Sequence, residues 1–246
     1  MAGICVAFLS STAVAGDHRS YGSMKDDYVA PLSYGYYFEG RIGGVLDDSF
    51  DSDMVSPNVA GANGALEISI DDGIGFELAI GKVFSPSWRV DIALAFGTAD
   101  DLTIDYTGAP ANPLSAGVQP VASNGDVRTI SLMANVYRTF DMQLGRIKPF
   151  VGVGIGFTNI DLDNVAPTGS RFVVDDDDTV FTFAHHLGFD MPLNEKVDFT
   201  LRYTGIISTG GDFSARDTTN AGGLLTVSTD SDYVPAVSAG VRIKLN

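Results

Sequence analysis

The sequence predicts an all-β fold, an eight-stranded antiparallel up-and-down transmembrane β-barrel. Apolar and polar residues alternate over lengths that suit a membrane-spanning strand, turns are alternately short and long, and no apolar run reaches the roughly 18 residues of a membrane helix. The stretch from Trp88 to Phe96 is the clearest example, because every second residue is apolar while Arg89 and Asp91 fall between them. Successive strand side chains face opposite sides, so one face suits lipid and the other a polar lumen.

The same alternation recurs along the chain and predicts eight strands. We place them at about residues 34–46, 74–81, 88–97, 129–137, 151–157, 181–190, 197–204 and 237–245. Short turns around 85–87, 141–147 and 192–196 join alternate pairs, since proline, serine and asparagine there favour tight connections. An even number of strands places both chain termini at the short-turn end.

The remaining connections are predicted to be four long loops at the opposite end of the barrel. The first loop ends at about Leu66, the second and third span 98–126 and 159–178, and the fourth ends at about Asp232. They hold many of the aspartates that give the chain its net charge of −16. Membrane barrels carry their long loops on the extracellular side, so an acidic outer surface is expected. This charge argues against a nucleic-acid partner, because phosphate binding requires basic groups.

The N-terminal region predicts an export signal. Residues 1–15 form an apolar segment that ends in Ala13-Val14-Ala15, which predicts a signal peptide cleaved before Gly16, although Met1 and Ala2 supply no basic start. The alternative is a frayed N-terminal strand. We assign 16–33 to an N-terminal lead and 34–246 to the barrel domain. The only cysteine, Cys5, would be removed, which excludes disulfides and thiolate chemistry from the mature chain.

Aromatic residues near the short turns predict the interfacial girdle of a membrane barrel. The members are Tyr34, Tyr36, Phe84, Trp88 and Phe140. Lys82 and Arg138 interrupt the outward apolar face only next to these turns, where a long basic side chain can reach the lipid head groups. His185 also falls on the outward face and breaks its apolar pattern.

The predicted lumen contains charged residues of both signs. They are Glu39, Arg41, Glu77, Arg89, Asp91, Asp198, Arg202, Arg242 and Lys244. The interior of an eight-stranded barrel is just wide enough for side chains to fill, and an unpaired buried charge is costly, so we expect a salt-bridged plug. A narrow diffusion pore is the alternative. Glycines at 152, 154 and 156 either leave room for long lumen side chains from opposite strands or permit bending.

Two other kinds of chemistry have candidate residues in the sequence, namely lipid hydrolysis and calcium binding. A lipid-hydrolysing barrel would use a serine or histidine near the membrane edge with a polar partner, and the candidates are His185 and His186, with Ser131 or Ser238. The two histidines alternate in direction, so they cannot serve one site. The run Asp175–Asp178 lacks the spacing of a calcium loop and predicts a solvated acidic surface, although such loops could hold divalent cations beside lipopolysaccharide phosphates. We expect no catalytic residue, metal site or cofactor.

Four segments carry a family resemblance. They are residues 131–137, 148–156, 199–203 and 240–245. In them the chain resembles the porin-family outer-membrane β-barrel surface antigens of Gram-negative bacteria, with an OmpA-like eight-stranded barrel. The resemblance implies an outer-membrane location and contacts with membrane lipid, lipopolysaccharide and the barrel-assembly machinery, although Leu245 stands where the family commonly has an aromatic assembly signal. It implies a structural or surface-interaction role, in which acidic loops could bind a surface ligand. A soluble lipocalin-like barrel is the alternative fold.

Overall fold

The computed structural model describes residues 35–46, 48–55, 64–108, 121–142, 145–167, 172–218 and 224–245. All of them belong to the compact unit Leu32–Asn246. The predicted signal peptide, the predicted lead at 16–33 and Tyr34 lie outside the described residues. No helix in these ranges is long and apolar enough to cross a membrane.

The predicted eight-stranded antiparallel barrel is confirmed. Five strands run uninterrupted and three are broken into shorter segments, which gives eleven segments in chain order. The segments are β1 (Tyr36–Val45), β2 (Asp48–Val55), β3 (Gly64–Ser85), β4 (Trp88–Gly108), β5 (Val121–Thr139), β6 (Lys148–Pro167), β7 (Phe172–Pro192), β8 (Val197–Ser208), β9 (Asp212–Asp217), β10 (Leu224–Thr229) and β11 (Asp232–Leu245). β2 continues β1, β9 continues β8, and β10 leads into β11.

Strand pairing closes the barrel at two levels. In the lower half, at the short-turn end, β1 pairs with β3 on one side and β11 on the other, and β8 completes the ring between β11 and β7. In the upper half β2, β10 and β9 take over between β3 and β7. Each level is therefore a ring of eight neighbouring strands without an exposed edge, as a spanning sheet requires.

The predicted boundaries of the long loops are wrong, because the strands continue far into them. β4 extends to Gly108 and β6 to Pro167, and β9 and β10 lie within the predicted last loop. β6 has 20 residues, about twice the 9 to 11 that a tilted strand needs to cross a bilayer. The barrel wall therefore rises well above the membrane.

The polarity of the two strand faces reverses along β6. In the lower part of β6, Ile155 and Phe157 point outward and are more than half exposed, as residues in contact with lipid are. Higher up, Ile160 and Leu162 line the interior. Asp161 and Asp163 occupy the alternate positions, and the exposed Arg128 on β5 lies 3.7 Å from the Asp163 carboxylate. The lower half is thus apolar outside and the upper half is apolar inside.

The lower rim of the apolar belt carries the girdle. Phe84 and Trp88 are half exposed on the outer surface. The Lys82 ammonium lies 5.2 Å from the centre of the Tyr36 ring and 5.7 Å from that of Phe84. The Arg138 guanidinium lies 5.7 Å from the Trp88 ring. These distances are within the range of cation–π attraction, so the two bases are held among aromatic rings at the membrane edge.

The outward-facing His185 belongs to a second aromatic cluster higher on the outer wall. Its ring stacks on Tyr233 at 5.7 Å between centres and 16°, and it lies 6.2 Å from Tyr203. The two tyrosine hydroxyls are 2.6 Å apart. Gly205 provides the space, because a side-chain carbon there would meet both His185 and the Tyr233 hydroxyl. His185 therefore breaks the apolar pattern of the outer face, but its ring packs in an aromatic cluster whose two tyrosine hydroxyls are hydrogen-bonded to each other.

The acidic run on β7 is not simply a solvated surface. Asp178 accepts a hydrogen bond from the backbone N–H of Asp212 at 2.9 Å, and Asp176 accepts one from Ser214 at 2.8 Å. Asp175 pairs with Arg216 at 3.3 Å. The carboxylates thus attach β9 to β7 between the paired residues at Val174 and Thr182, where direct strand pairing is interrupted.

Candidate functional site: a charged plug beneath an apolar chamber

The lower lumen is filled by charged side chains from six of the eight strands. All nine residues of the predicted network point inward, and the structure adds Asp190. We call these ten residues the plug: Glu39, Arg41, Glu77, Arg89, Asp91, Asp190, Asp198, Arg202, Arg242 and Lys244. It contains five carboxylates and five cations, so its formal charges cancel.

Asp190 is the centre of one half of the plug. One of its carboxylate oxygens accepts a hydrogen bond from Arg89 at 2.9 Å, and Arg242 donates to both oxygens at 2.9 and 3.0 Å. This bidentate geometry is the strongest form of arginine–carboxylate pairing. Lys244 pairs with the neighbouring Asp198 at 2.8 Å. Strands β4, β7, β8 and β11 are therefore joined across the lumen.

The other half of the plug is a chain of alternating charges. Arg242 donates to Glu39 at 2.8 Å, and Glu39 lies 3.2 Å from Arg41. Arg41 lies 2.7 Å from Glu77, and Arg202 from β8 donates to the same Glu77 carboxylate. Each guanidinium thus meets at least one carboxylate, which satisfies the requirement that buried charges be paired.

Asp91 differs from the other carboxylates, because its hydrogen-bond partners are neutral. It accepts a hydrogen bond from the Tyr37 hydroxyl at 2.8 Å and another from the Asn135 side-chain amide at 2.8 Å. Asn135 also lies 3.2 Å from a ring nitrogen of His186, whose other nitrogen is 3.1 Å from the Thr204 hydroxyl. The buried His186 is thereby part of the lumen network.

Aromatic rings close the lower end of the lumen. Tyr137 and Phe150 pack edge to face with 5.7 Å between their centres, and the Arg89 guanidinium lies 4.4 Å from each ring. Tyr37 and Tyr137 are almost completely buried. The charges are thus enclosed by rings that fill the remaining cross-section, as expected for an eight-stranded barrel.

Glycines on the adjacent strands provide the space that these large side chains occupy. A side-chain carbon at Gly81 would overlap the Tyr37 ring, and one at Gly152 would overlap the Tyr137 ring. Each glycine is the register partner of the residue it accommodates, so the room is made for the adjacent strand and not for an opposite one. The outward-facing Gly40 has only an ordinary contact of 3.8 Å with Leu78.

Above the plug the lumen opens into a cavity of about 350 Å³, which we call the chamber. Small and apolar residues dominate its wall. Among them are Ala93, Ala95, Ala99, Val127, Met133, Ile160, Leu162, Val165, Ala184, Ile206, Phe213, Ala215, Val227 and Val234. Its volume lies within the range typical of small-molecule pockets. The chamber was not predicted, because its upper wall falls in segments assigned to loops.

The residues weighed for catalysis are not joined into a site. His186 bonds to Thr204 and Asn135, whereas Ser131 pairs its hydroxyl with Thr158 at 2.9 Å. His185 lies on the outer wall. Within the described ranges no group of three or more histidine, cysteine or acidic residues is arranged to hold a metal ion.

The alternating pattern predicts the correct face for one further plug residue, Asp190, and for three neutral lumen residues, but it does not predict their roles. Asp190 lies two positions before Pro192 at a predicted turn, and its alternating position predicts an inward side chain without indicating a place in the network. The same is true of Tyr37, Asn135 and His186. Their signal was the inward position on an alternating strand, combined with a hydrogen-bonding group that needs a partner once buried.

Comparison with known proteins supports the architecture. Residues 4–228 match the family model described as "Outer membrane protein beta-barrel domain". The outer membrane protein OprG from Pseudomonas aeruginosa is 16% identical, with a TM-score of 0.59 over 86% of this chain and 97% of that chain. No curated protein sequence matches the chain significantly.

Two further solved structures resemble the chain more distantly. The outer membrane protease OmpT from Escherichia coli is 8% identical with a TM-score of 0.49, covering 85% of this chain and 97% of that one. Neisserial surface protein A is 16% identical with a TM-score of 0.47, covering 86% and 97%. At these identities the likeness concerns the fold alone.

Proposed function

The chain belongs to the outer membrane protein β-barrel domain family, and from this premise we propose that it is a non-conducting barrel with a structural or surface-interacting role. It lies in the outer membrane, in contact with membrane lipid. The lower lumen is closed by the plug, and the upper wall is displayed outside the bilayer. No catalytic step is assigned to it.

The observation that carries this proposal is the pairing of the buried charges in the plug. Ions cross a narrow lumen when unsatisfied charges or mobile water attract them, but here each charged group is held by a partner within the lumen. Glu39 and Arg41 have only 1% of their side chains exposed. An ion would have to break several buried pairs at once, which is too costly for steady conduction.

The upper wall supports the surface-interacting part of the role. Its outer face presents carboxylates such as Asp163 and Asp175, while its inner face is apolar. A wall that extends the membrane barrel into the medium offers a rigid acidic surface. We propose that a basic partner, or divalent cations bridging to lipopolysaccharide phosphates, bind this surface, and that the barrel-assembly machinery inserts the protein.

Planar-bilayer recording tests the closed lumen. We expect the folded full chain to produce no conductance steps above the lipid baseline, with boiled protein as the unfolded control. Heat-modified gel mobility would show in the same sample that the barrel is folded. Reproducible steps whose ion selectivity changes in Arg41→Met or Arg202→Met would replace the proposal with a narrow diffusion pore.

Binding to surfaces is tested separately. Vesicles containing lipopolysaccharide should retain the protein more strongly with millimolar calcium than with a chelator. Equal retention under both conditions would remove the cation-bridging part of the proposal and leave the closed barrel intact.

A further inference from the structure

We propose that the chamber is a binding site for an uncharged, mostly apolar small molecule that carries a hydroxyl group or a similar hydrogen-bond donor. The proposal concerns a site that a purely structural barrel does not need. This proposal depends on the closed-barrel proposal only in that the plug forms the floor of the chamber.

The chamber is too large and too apolar to be a packing defect. Native interiors rarely leave voids larger than a water molecule, and an apolar cavity of about 150 Å³ already accommodates benzene. This cavity has about 350 Å³. A two-ring aromatic molecule or a medium-length hydrocarbon chain is therefore the appropriate size of ligand.

Small residues keep the chamber open. Ala95 on β4 and Ala236 on β11 line it at positions where a larger apolar residue would also be compatible with the strand. Filling such a space would normally stabilise the barrel through added apolar contacts. A cavity that the described side chains leave open above a packed lower lumen is what a preformed binding site requires.

The polar groups of the chamber argue for a neutral ligand. Among its described lining residues, formal charges occur only at the floor, on Glu77, Arg41 and Arg202, and at the rim, on Asp230 and Asp232. At the floor the Glu77 side chain is 16% exposed, whereas those of the two arginines are 1% and 4% exposed. The two buried guanidiniums are paired with Glu77 and are less exposed than its carboxylate, and the rim carries further carboxylates, so an anion meets no accessible base while a neutral donor meets acceptors.

Hydroxyl groups form a second polar line on the wall. Ser131, Thr158 and Thr182 are joined by contacts of 2.9 and 2.8 Å across three neighbouring strands. They place hydrogen-bonding capacity beside an apolar volume, which is the composition of a small-molecule pocket. The chamber reaches the surface of the described structure near Thr209 and Asp230, which are exposed lining residues.

Methyl-resolved NMR of the full chain in lipid nanodiscs tests the site with two matched probes, 1-decanol and decanoate. We expect 1-decanol to shift the methyl signals of chamber residues Val127, Ile160 and Ile206 in a saturable way. The lipid-facing methyls of Val153 and Ile155 should drift without saturation. At about pH 9, where a carboxylic acid is ionised, decanoate should require roughly tenfold higher concentration.

Two variants with the same substitution provide the control. Ala95→Phe fills the chamber and should abolish the saturable shifts, whereas Ala134→Phe adds the same ring to the lipid-facing side of β5 and should preserve them. If Ala95→Phe does not fold, Ala236→Phe fills the chamber from β11 instead.

Chamber methyls that do not shift, or that drift in parallel with the lipid-facing methyls, would overturn the proposal. Saturable binding that survives both chamber-filling variants would also overturn it. Equal or tighter binding of decanoate would contradict the proposed ligand class. Conductance measurements address the plug and not the chamber, so failure of the closed-barrel proposal and failure of this one can be distinguished.

Discussion

The lower and upper halves of this barrel use the same alternating strands with opposite polarity. Below, Ile155 faces outward and the buried Glu39 and Arg41 face the lumen, whereas above, Ile160 faces the lumen and Asp163 faces outward. The strand geometry does not change, since residues i and i+2 share a face throughout. What changes is the surrounding medium, which is lipid below and water above.

The comparison explains why the two interiors are so different. Where the outer face must be apolar to meet lipid, the alternate positions remain available for polar groups, which then pair within the lumen. Where the outer face meets water, the interior can be apolar, as in a soluble barrel. The lipocalin-like alternative is therefore incorrect for the whole chain, although the upper half has this arrangement of apolar residues.

The largest expected effect is the loss of stability on removing a buried charge, which we compare with the removal of an exposed charge. Asp190→Asn should lower the free energy of unfolding by about 3 to 5 kcal/mol, because Arg89 and Arg242 would lose their shared carboxylate within the lumen. The measurement is urea unfolding in lipid vesicles, followed by the fluorescence of Trp88, the single tryptophan.

Asp163→Asn is the matched control in the upper wall. Its partner Arg128 is more than half exposed and lies 3.7 Å away, so the loss should be at most about 1 kcal/mol. Similar losses for the two variants would show that the lumen charges are as well solvated as those on the surface.

A smaller effect tests the fit between glycines and large lumen side chains. Gly152→Ala should cost about 1 to 3 kcal/mol, since the new carbon would overlap the Tyr137 ring. Gly40→Ala adds the same carbon on the outer face at 3.8 Å from Leu78 and should leave stability unchanged or slightly raised. Unfolding of the two variants under identical conditions provides the measurement, and the opposite order would refute this role of Gly152.

The smallest and most local effect concerns the attachment of β9. Asp178→Ala should reduce hydrogen-exchange protection at Asp212 by about tenfold, because that backbone N–H loses its carboxylate acceptor. Asp177→Ala is the control, since the Asp177 carboxylate accepts a hydrogen bond from the Asn159 side-chain amide on β6. Loss of protection in both variants would indicate general loosening of the acidic run.

The membrane half of the fold was readable from the sequence because its alternation is regular and its turns are short. The charged residues of the lumen were also visible as inward positions. Their pairing was not, since Arg89 and Asp190 are 101 residues apart and the contact depends on the register of several strands.

The upper half was misread because its chemistry resembles that of loops. Aspartate is depleted in strands, so Asp161 and Asp163 suggested a connection despite the alternating Ile160 and Leu162. On β7 the run Asp175–Asp178 contains no apolar residue, so no alternation of apolar and polar residues can be recognised there. Its structural reason, acceptance of β9 backbone N–H groups, depends on a segment more than 30 residues away.

A scan of spin labels along the outer face of β6 tests the reversal of polarity most directly. With Cys5 replaced by serine, single cysteines at Val153, Ile155, Phe157, Asp161 and Asp163 would carry the label in lipid vesicles. We expect relaxation by oxygen at the first three positions, which lie in lipid, and relaxation by a water-soluble nickel chelate at the last two. Uniform lipid accessibility through Asp163, or water accessibility along the whole strand, would contradict the account.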